Sequence, residues 1–163
     1  MSSTKKEFEI FIYFLPPYSS QSNECTSVKL IRKGLAVEVN HKSLKDFSGV
    51  VLYPYASKYL SQSDSQRAAE QGLLIVDGPW EKLDSITTSV THAVLRKLPE
   101  ELEVRNPYYR KDNPLYFHSS FRFSSAEAIS YALLIMGEPY RAEVIARAGE
   151  FLDAYRENEK YFA

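Results

Sequence analysis

The sequence predicts an α/β fold in which a parallel β-sheet is followed by an all-helical C-terminal part. Short continuous apolar runs, such as 73–76, are typical of parallel strands that are buried on both faces. These runs alternate with segments of helical spacing, which favours parallel connections. After residue 124 the apolar spacing is helical throughout. We therefore expect an α/β domain over residues 1–97 and a mostly helical domain over residues 98–163.

The elements of the first part follow from composition and from turn residues. Strands are predicted where β-branched, aliphatic and aromatic residues cluster, at 8–15, 35–39, 49–53, 73–76 and, as a short fifth strand, 93–95. Helices are predicted at 25–34 and 61–71, where Gly34 and Gly72 provide stop signals. The sequence thus indicates a sheet of four or five strands with helices between them.

The C-terminal part carries two predicted helices. Ser124-Ser125-Ala126-Glu127 is a capping-box pattern that opens a helix over 126–136, and Gly137 ends it. A last helix is predicted over 139–155, because its apolar residues form one stripe.

Composition narrows the function classes. The chain has 163 residues, of which 44% are hydrophobic and 25% charged, a composition typical of a globular domain with a buried core. Its net charge of -1 does not suit a strongly cationic protein that coats nucleic acid. Cys25 is the single cysteine, which excludes an internal disulfide framework, and three scattered histidines form no recognisable metal-ligand set. No apolar segment approaches the length of a membrane span, and we expect a cytoplasmic protein.

Polar residues at two predicted strand ends indicate a ligand site. The fourth strand leads into Asp77 and Trp80, and the first leads to a helix that starts near Thr26 and Ser27. Such an edge could hold a ligand with an anionic end, a cationic centre and an apolar body; S-adenosylmethionine fits, as do other ligands. The same residues also suit structural roles, with Asp77 as a turn residue, Trp80 as a core side chain and the hydroxyls as caps.

Several short segments, in the same order along the chain, resemble the ribosomal RNA aminocarboxypropyltransferase family of small-subunit ribosome biogenesis. They are ECTSVKL (24–30), KGLA (33–36), VLYP (51–54), LSQSD (60–64), GLLIVDGPW (72–80), RKLP (96–99), NP (106–107) and FSSAEA (123–128). The resemblance implies a SPOUT-like fold with a deep trefoil knot, in which the loop 54–60 is the knotting loop. It also implies that the helical part completes the cofactor site and the knot.

The resemblance further implies transfer of the 3-amino-3-carboxypropyl group of S-adenosylmethionine to N3 of an (N1-methyl)pseudouridine in small-subunit rRNA. The implied catalytic residues are Asp77 and Glu127. The implied cofactor-binding residues are Thr26, Leu73, Val76, Asp77, Trp80, Leu98, Tyr108, Tyr109 and Ser124. Family members usually carry Asp-Cys-Ser-Trp where this chain has Asp-Gly-Pro-Trp, which keeps both side chains and their spacing. An RNA methyltransferase on the same fold and a non-catalytic RNA-binding assembly factor are the alternatives.

Two basic clusters are candidates for RNA contact. The candidate RNA-binding residues are Lys29, Arg32 and Lys33 on the first helix, and Arg105, Arg110, Lys111 and Arg122 around an aromatic loop. Cations interleaved with aromatic rings can bind phosphates and stack on unpaired bases, which favours the second cluster. The expected partner is small-subunit rRNA or a pre-ribosomal subunit, with no membrane, and the chain is expected to be a monomer.

Overall fold

The computed structural model describes residues 8–15, 26–78, 80–99 and 125–160 of the chain. Its sheet has five parallel strands, which confirms the predicted parallel α/β architecture. The strands are β1 (Ile10–Phe14), β2 (Val37–Glu38), β3 (Val50–Leu52), β4 (Leu73–Asp77) and β5 (Val94–Arg96). Their spatial order is β2-β1-β4-β3-β5, so β4 lies at the centre and pairs on both sides.

The central strand is apolar because it is covered on both faces. Leu73 and Ile75 pack into a core shared with the helices, whereas Leu74 packs into a second cluster on the opposite face. This alternation follows from the period of two in a strand. Both clusters exclude solvent from β4, since Leu73 and Leu74 are each fully buried.

Five α-helices complete the described fold. They are α1 (Thr26–Arg32), α2 (Ser65–Gln71), α3 (Ser125–Ile135), α4 (Pro139–Ala148) and α5 (Leu152–Glu159). Helix α3 is the central one, because it contacts α1, α4, α5 and β4. Its residues Ala126 to Leu133 are all buried, which explains its almost continuous apolar and small-residue sequence.

Short helices of 3-10 type at His41–Asp46 and Trp80–Thr88 are additional to the predicted elements, whereas a third, Gln62–Asp64, forms the first part of the helix predicted over 61–71. The predicted strand at 35–39 is reduced to Val37–Glu38, and both residues are exposed. A two-residue edge strand offers little unpaired backbone to other chains. The prediction there was wrong in length.

The single helix predicted over 139–155 is wrong, because the chain breaks between α4 and α5. Glu150 has a positive φ of 63°, a conformation that interrupts a right-handed helix. The break lets Gly149 approach α3 closely, since a Cβ atom at this position would lie 2.8 Å from the Cβ of Ala126. One apolar stripe in the sequence thus serves two helices that differ in direction.

Among the described residues, no helix combines the length and the apolar character that a membrane crossing requires.

One core cluster contains residues of the sheet, such as Ile12, together with residues of α3 to α5, such as Ile129 and Tyr155. The helices therefore cover one face of the sheet.

Substitution of Gly72 tests the close packing at the entrance to β4. Gly72 has φ 102°, and an added Cβ would lie 2.5 Å from a ring carbon of Phe11. Gly72→Ala should lower the free energy of unfolding by about 3 kcal/mol, from backbone strain and overpacking together. Gly34→Ala is the control, because Gly34 also has a positive φ but open space around it, and it should cost only about 1 kcal/mol. Equal losses in urea denaturation would contradict the packing argument.

Candidate active site

The carboxylate of Asp77 lies at the carboxyl end of the central strand, where two hydroxyl groups bind it. Ser27 Oγ donates to Asp77 Oδ2 at 2.7 Å, and Ser125 Oγ donates to the same oxygen at 3.1 Å. Ser27 belongs to α1 and Ser125 is the first residue of α3. The end of β4 and the beginnings of two helices therefore meet at one carboxylate oxygen.

A third hydroxyl group, that of Thr26, joins the same two helices. The amide N–H of Ala126 donates to Thr26 Oγ1 at 3.1 Å, although the residues are 100 positions apart. An N-terminal N–H of a helix has no partner within the helix, so Thr26 takes the role that a capping residue usually has. Thr26 is almost fully buried, with 4% of its surface exposed. The predicted site residues Thr26 and Asp77 are thus brought to one place.

The helix α3 adds electrostatic stabilisation to this junction. Its first residue contacts Asp77, so the carboxylate lies near the N-terminus of an 11-residue helix. The positive end of a helix dipole stabilises a nearby anion by roughly 0.3–1 kcal/mol. The helix N-terminus therefore contributes to holding a negative charge at the junction.

The backbone of Val76 lies beyond the end of the hydrogen-bonded ladder between β3 and β4. The β3–β4 ladder ends at the pair Leu52 and Ile75, whereas the β1–β4 ladder continues to Asp77. Leu15 N donates to the carbonyl of Asp77, so that carbonyl faces β1. Because successive residues of a parallel strand bond to opposite neighbours, the carbonyl of Val76 faces β3 beyond its last ladder pair. This carbonyl is therefore placed to accept a hydrogen bond from a ligand.

Gly78 is needed for the close approach of β1 and the end of β4. A Cβ atom at Gly78 would lie 2.5 Å from the Cβ of Leu15 and 3.2 Å from its carbonyl oxygen. The glycine thus allows Leu15 to reach the backbone of Asp77, where the two residues share a hydrogen bond of 2.8 Å. The Asp-Gly sequence at this edge has a packing role as well as a turn role.

Glu127, the second predicted catalytic residue, is fully buried on α3. It lies one helical turn before Tyr131. Burial raises the pKa of Tyr131, and the charge of Glu127 raises it further. Asn158 on α5 donates to the hydroxyl of Tyr131 at 2.9 Å, so these side chains form a polar cluster within the helical layer.

The other predicted cofactor-binding residues are distributed along the described chain and beyond it. Leu73 lies at the amino end of β4, about 13 Å along the strand from Asp77, and is not brought to the carboxyl edge. Leu98 is buried just after β5, and Trp80 begins the 3-10 helix Trp80–Thr88. Tyr108, Tyr109 and Ser124 lie outside the described residues.

Two of the predicted RNA-binding residues on and directly after α1, Lys29 and Lys33, contact the end of α4 and the connection that follows it. Lys29 forms an ion pair with Glu150 at 3.2 Å, and Lys33 donates to the carbonyl of Ala148 at 3.3 Å. Arg32 is exposed. Arg105, Arg110, Lys111 and Arg122 lie outside the described residues.

Ser125 was not among the predicted site residues, although its hydroxyl binds Asp77. The capping-box pattern placed Ser125 at a helix start, but local sequence does not show which distant strand that start contacts. Thr26 was predicted as a ligand residue, and the structure adds its contact with Ala126. The site is therefore more closely tied to α3 than the sequence indicates.

Thr26→Val tests the contact between α1 and α3. The substitution keeps the shape of the side chain but leaves the buried N–H of Ala126 without its acceptor, so it should lower the free energy of unfolding by about 1–3 kcal/mol. Thr26→Ser is the matched control, because it keeps the hydroxyl and removes one methyl group. Chemical denaturation of both variants measures the difference. A valine variant as stable as the serine variant would contradict the capping role.

Comparison with known proteins gives the relatives of this chain. The family model described as "Ribosome biogenesis protein, C-terminal" matches residues 50–162. The 16S rRNA aminocarboxypropyltransferase of Thermoplasma volcanium is 34% identical over 126 residues, which cover 77% of this chain and 70% of that protein. The enzyme of the same name from Methanosarcina mazei is 32% identical over 146 residues, which cover 89% of this chain and 78% of that protein.

A solved structure agrees with these relatives. The SAM-dependent rRNA:acp-transferase Tsr3 from Vulcanisaeta distributa superimposes with a TM-score of 0.74 at 28% identity, covering 94% of this chain and 80% of that chain. These findings confirm the predicted family, the transferase class and the cofactor that goes with it. The chain belongs to the family of S-adenosylmethionine-dependent 16S rRNA aminocarboxypropyltransferases.

Proposed function

We propose that this chain transfers the 3-amino-3-carboxypropyl group of S-adenosylmethionine to N3 of an (N1-methyl)pseudouridine in small-subunit rRNA. The observation that carries the proposal is the carboxylate of Asp77, which Ser27 and Ser125 hold at the carboxyl edge of the central strand. Two relatives named 16S rRNA aminocarboxypropyltransferase support transfer of this group to small-subunit rRNA.

The chemistry of the junction fits the amino-acid end of S-adenosylmethionine. That end carries an ammonium group, a carboxylate and, three carbons away, a sulfonium. Asp77 supplies a fixed negative charge for the cationic groups. Thr26 Oγ1 accepts from Ala126 N, so its own O–H can be donated to the carboxylate of the ligand.

The remaining parts of the ligand are assigned to backbone groups and aromatic side chains. The carbonyl of Val76, which faces β3 beyond the ladder, would accept from the ribose hydroxyls. Backbone groups of Leu98 would meet the adenine edge. We also propose Tyr108, Tyr109 and Ser124, outside the described residues, as contributors to this pocket.

Selection of the transferred group is a problem of orientation. S-adenosylmethionine, when bound, supplies a sulfonium flanked by three carbons, each of which is an electrophile. The protein selects among them by covering the methyl group and aligning the side-chain methylene with the incoming nitrogen. We assign the covering role to Trp80, which follows Asp77 by three residues. Leu73, which the family resemblance implies for the same role, lies at the amino end of β4, fully buried in the core, so we do not assign it to the methyl group.

We also assign to Asp77 the role of the base that accepts the N3 proton. An imide N–H has a pKa of about 10, close to that of tyrosine, so a base assists its removal at neutral pH. The hydroxyls of Ser27 and Ser125 fix one oxygen of the carboxylate, which restricts the orientation of the group. Glu127 is the second acidic candidate, and its burial favours a role in positioning α3.

Three finer features are part of the proposal. The chain after β5 would pass through the loop 54–60 to form the trefoil knot. This is supported by Lys97 N, which donates to Lys58 O, and by Leu60 N, which donates to Lys97 O. The cytoplasmic location and the monomeric state remain predictions. For RNA contact we retain Lys29, Arg32 and Lys33, together with the basic residues between 105 and 122.

A two-label transfer assay tests the proposed reaction. Small-subunit rRNA that lacks the modification is incubated with cofactor labelled in the carboxyl carbon or in the methyl carbon. We expect only the carboxyl label to appear in the RNA. In Trp80→Ala, cofactor affinity should fall and methyl label should begin to appear, because the covering residue has been removed. Methyl label alone from the wild type would identify a methyltransferase and overturn the proposal.

Asp77→Asn and Glu127→Gln separate the two acidic candidates. Asp77→Asn should reduce the rate of transfer by about 10²–10⁴-fold, the range for loss of a general base. Glu127→Gln should reduce it less than tenfold, since a buried amide can still hold the helical layer. Asp153→Asn, on the exposed first turn of α5, is the control and should be unchanged. Full activity of Asp77→Asn in the carboxyl-label assay would contradict its catalytic assignment.

A further inference from the structure

The loop that follows β3 exposes aromatic rings beside lysines. Tyr59 is 48% exposed and Tyr55 is 38% exposed, and both are among the four large hydrophobic residues that the described ranges expose. Lys58 is also exposed, and Lys97, just after β5, has its ammonium 4.6 Å from the centre of the Tyr59 ring. We name these four residues, Tyr55, Lys58, Tyr59 and Lys97, the tyrosine–lysine surface.

We propose that the tyrosine–lysine surface binds single-stranded rRNA next to the nucleotide that is modified, with Tyr59 stacking on a base and the lysines contacting phosphates. This inference rests on the proposed function, because it assumes that an RNA base reacts at Asp77.

The surface is held in place by backbone bonds rather than by side chains alone. Lys97 N donates to Lys58 O at 3.0 Å, and Leu60 N donates to Lys97 O at 2.8 Å. Ala56 and Leu60 are buried and anchor the loop on both sides of Lys58. The two lysines and Tyr59 are thus fixed relative to each other before a ligand binds, which lowers the entropy that ordering would cost.

The charge of the surface suits a polyanion. Asp64, the acidic side chain that contacts the end of β5, forms an ion pair with Arg96 at 3.1 Å. Asp84 accepts from the hydroxyl of Tyr53 and lies near Tyr55. Lys58 and Lys97 bring two cationic side chains to the Tyr59 end of the surface, and such groups can contact phosphates.

An exposed ring with cations beside it favours a nucleic acid over an apolar partner. Bases stack on aromatic rings in a way that tolerates sequence, and each such contact contributes to single-strand binding. A protein-binding surface of the usual kind would bury a larger apolar area at its centre. Here the apolar rings are interleaved with lysines, so RNA is the partner that the chemistry fits best.

The position in the sheet places this surface near the candidate active site. The loop leaves the carboxyl end of β3, which is the immediate neighbour of β4, and Lys97 follows the carboxyl end of β5. Strands lie about 4.8 Å apart, so β5 and the end of β4 are separated by about 10 Å across the sheet. A nucleotide adjacent to the one that reacts at Asp77 could therefore reach the tyrosine–lysine surface.

The test compares Tyr59→Leu with Tyr140→Leu, since Tyr140 is the most exposed tyrosine of the described residues and lies on α4. Binding is measured by fluorescence anisotropy with small-subunit rRNA that lacks the modification and with a short single-stranded oligoribonucleotide from it. Tyr59→Leu should weaken binding about tenfold, and Tyr140→Leu should change it less than twofold. Cofactor affinity, measured by calorimetry, should be the same in both variants.

Lysine variants provide a second readout that a folding defect would not mimic. Lys58→Gln should reduce the slope of log affinity against log salt by about 0.7, the value for one phosphate contact on a single strand. Lys97→Gln should reduce the salt slope by the same amount and should also weaken the stacking of a base on Tyr59. Lys97→Arg should have the wild-type salt slope and the wild-type affinity, because it keeps a cation over the Tyr59 ring.

The outcomes separate this inference from the proposed function. If Tyr59→Leu and Lys58→Gln bind RNA with the affinity of the wild type, the proposal for the tyrosine–lysine surface is wrong, and the proposed transfer reaction is unaffected. If the same variants bind pre-ribosomal particles more weakly but bind naked rRNA normally, the surface contacts a protein partner. That result would also overturn the RNA-binding proposal. Absence of carboxyl-label transfer by the wild type, by contrast, would overturn the proposed function itself.

Discussion

The contact of two serine hydroxyls with one oxygen of Asp77 is the interaction on which this site depends. It joins residues that are 50 and 48 positions apart and brings together β4, α1 and α3. The bond between Ala126 N and Thr26 adds a second link between the same helices. Because these groups are largely buried, each needs its partner, and loss of one would leave a polar atom unsatisfied. Folding and site geometry are therefore coupled at this place.

The apolar framework around the junction explains how it can be rigid. Helix α3 is buried along most of its length, and β4 is covered on both faces. Dipoles that are fixed in this way need little reorganisation when charge develops in a reaction. The carboxylate at the end of the central strand is thus held in a fixed orientation, in which it can serve both a cationic ligand and an adjacent nucleobase.

The sequence predicted the parts of this account that depend on local pattern. The run 73–76 predicted β4, which the structure confirms. The polar residues after it predicted a ligand site at the carboxyl edge; this stays a prediction, and the structure adds the contact between Ser27 and Asp77 there. The contact of Ser125 with Asp77 and the placement of β4 between β1 and β3 depend on tertiary packing, which a local pattern does not contain. The break at Glu150 was missed because one apolar stripe continued across it. The family itself was predicted from short segments in their order, and the comparisons confirm it.

A crystal structure of the chain with S-adenosylmethionine would show whether the junction of Thr26, Asp77 and Ser125 holds the amino-acid end of the ligand. The account predicts that the carboxylate of the ligand lies within hydrogen-bond distance of Thr26 Oγ1 and that its cationic centre lies beside Asp77. It also predicts a ribose hydroxyl donating to the carbonyl of Val76, in the opening between β4 and β3. A ligand whose amino-acid end lies away from the Thr26, Asp77 and Ser125 junction would contradict the account.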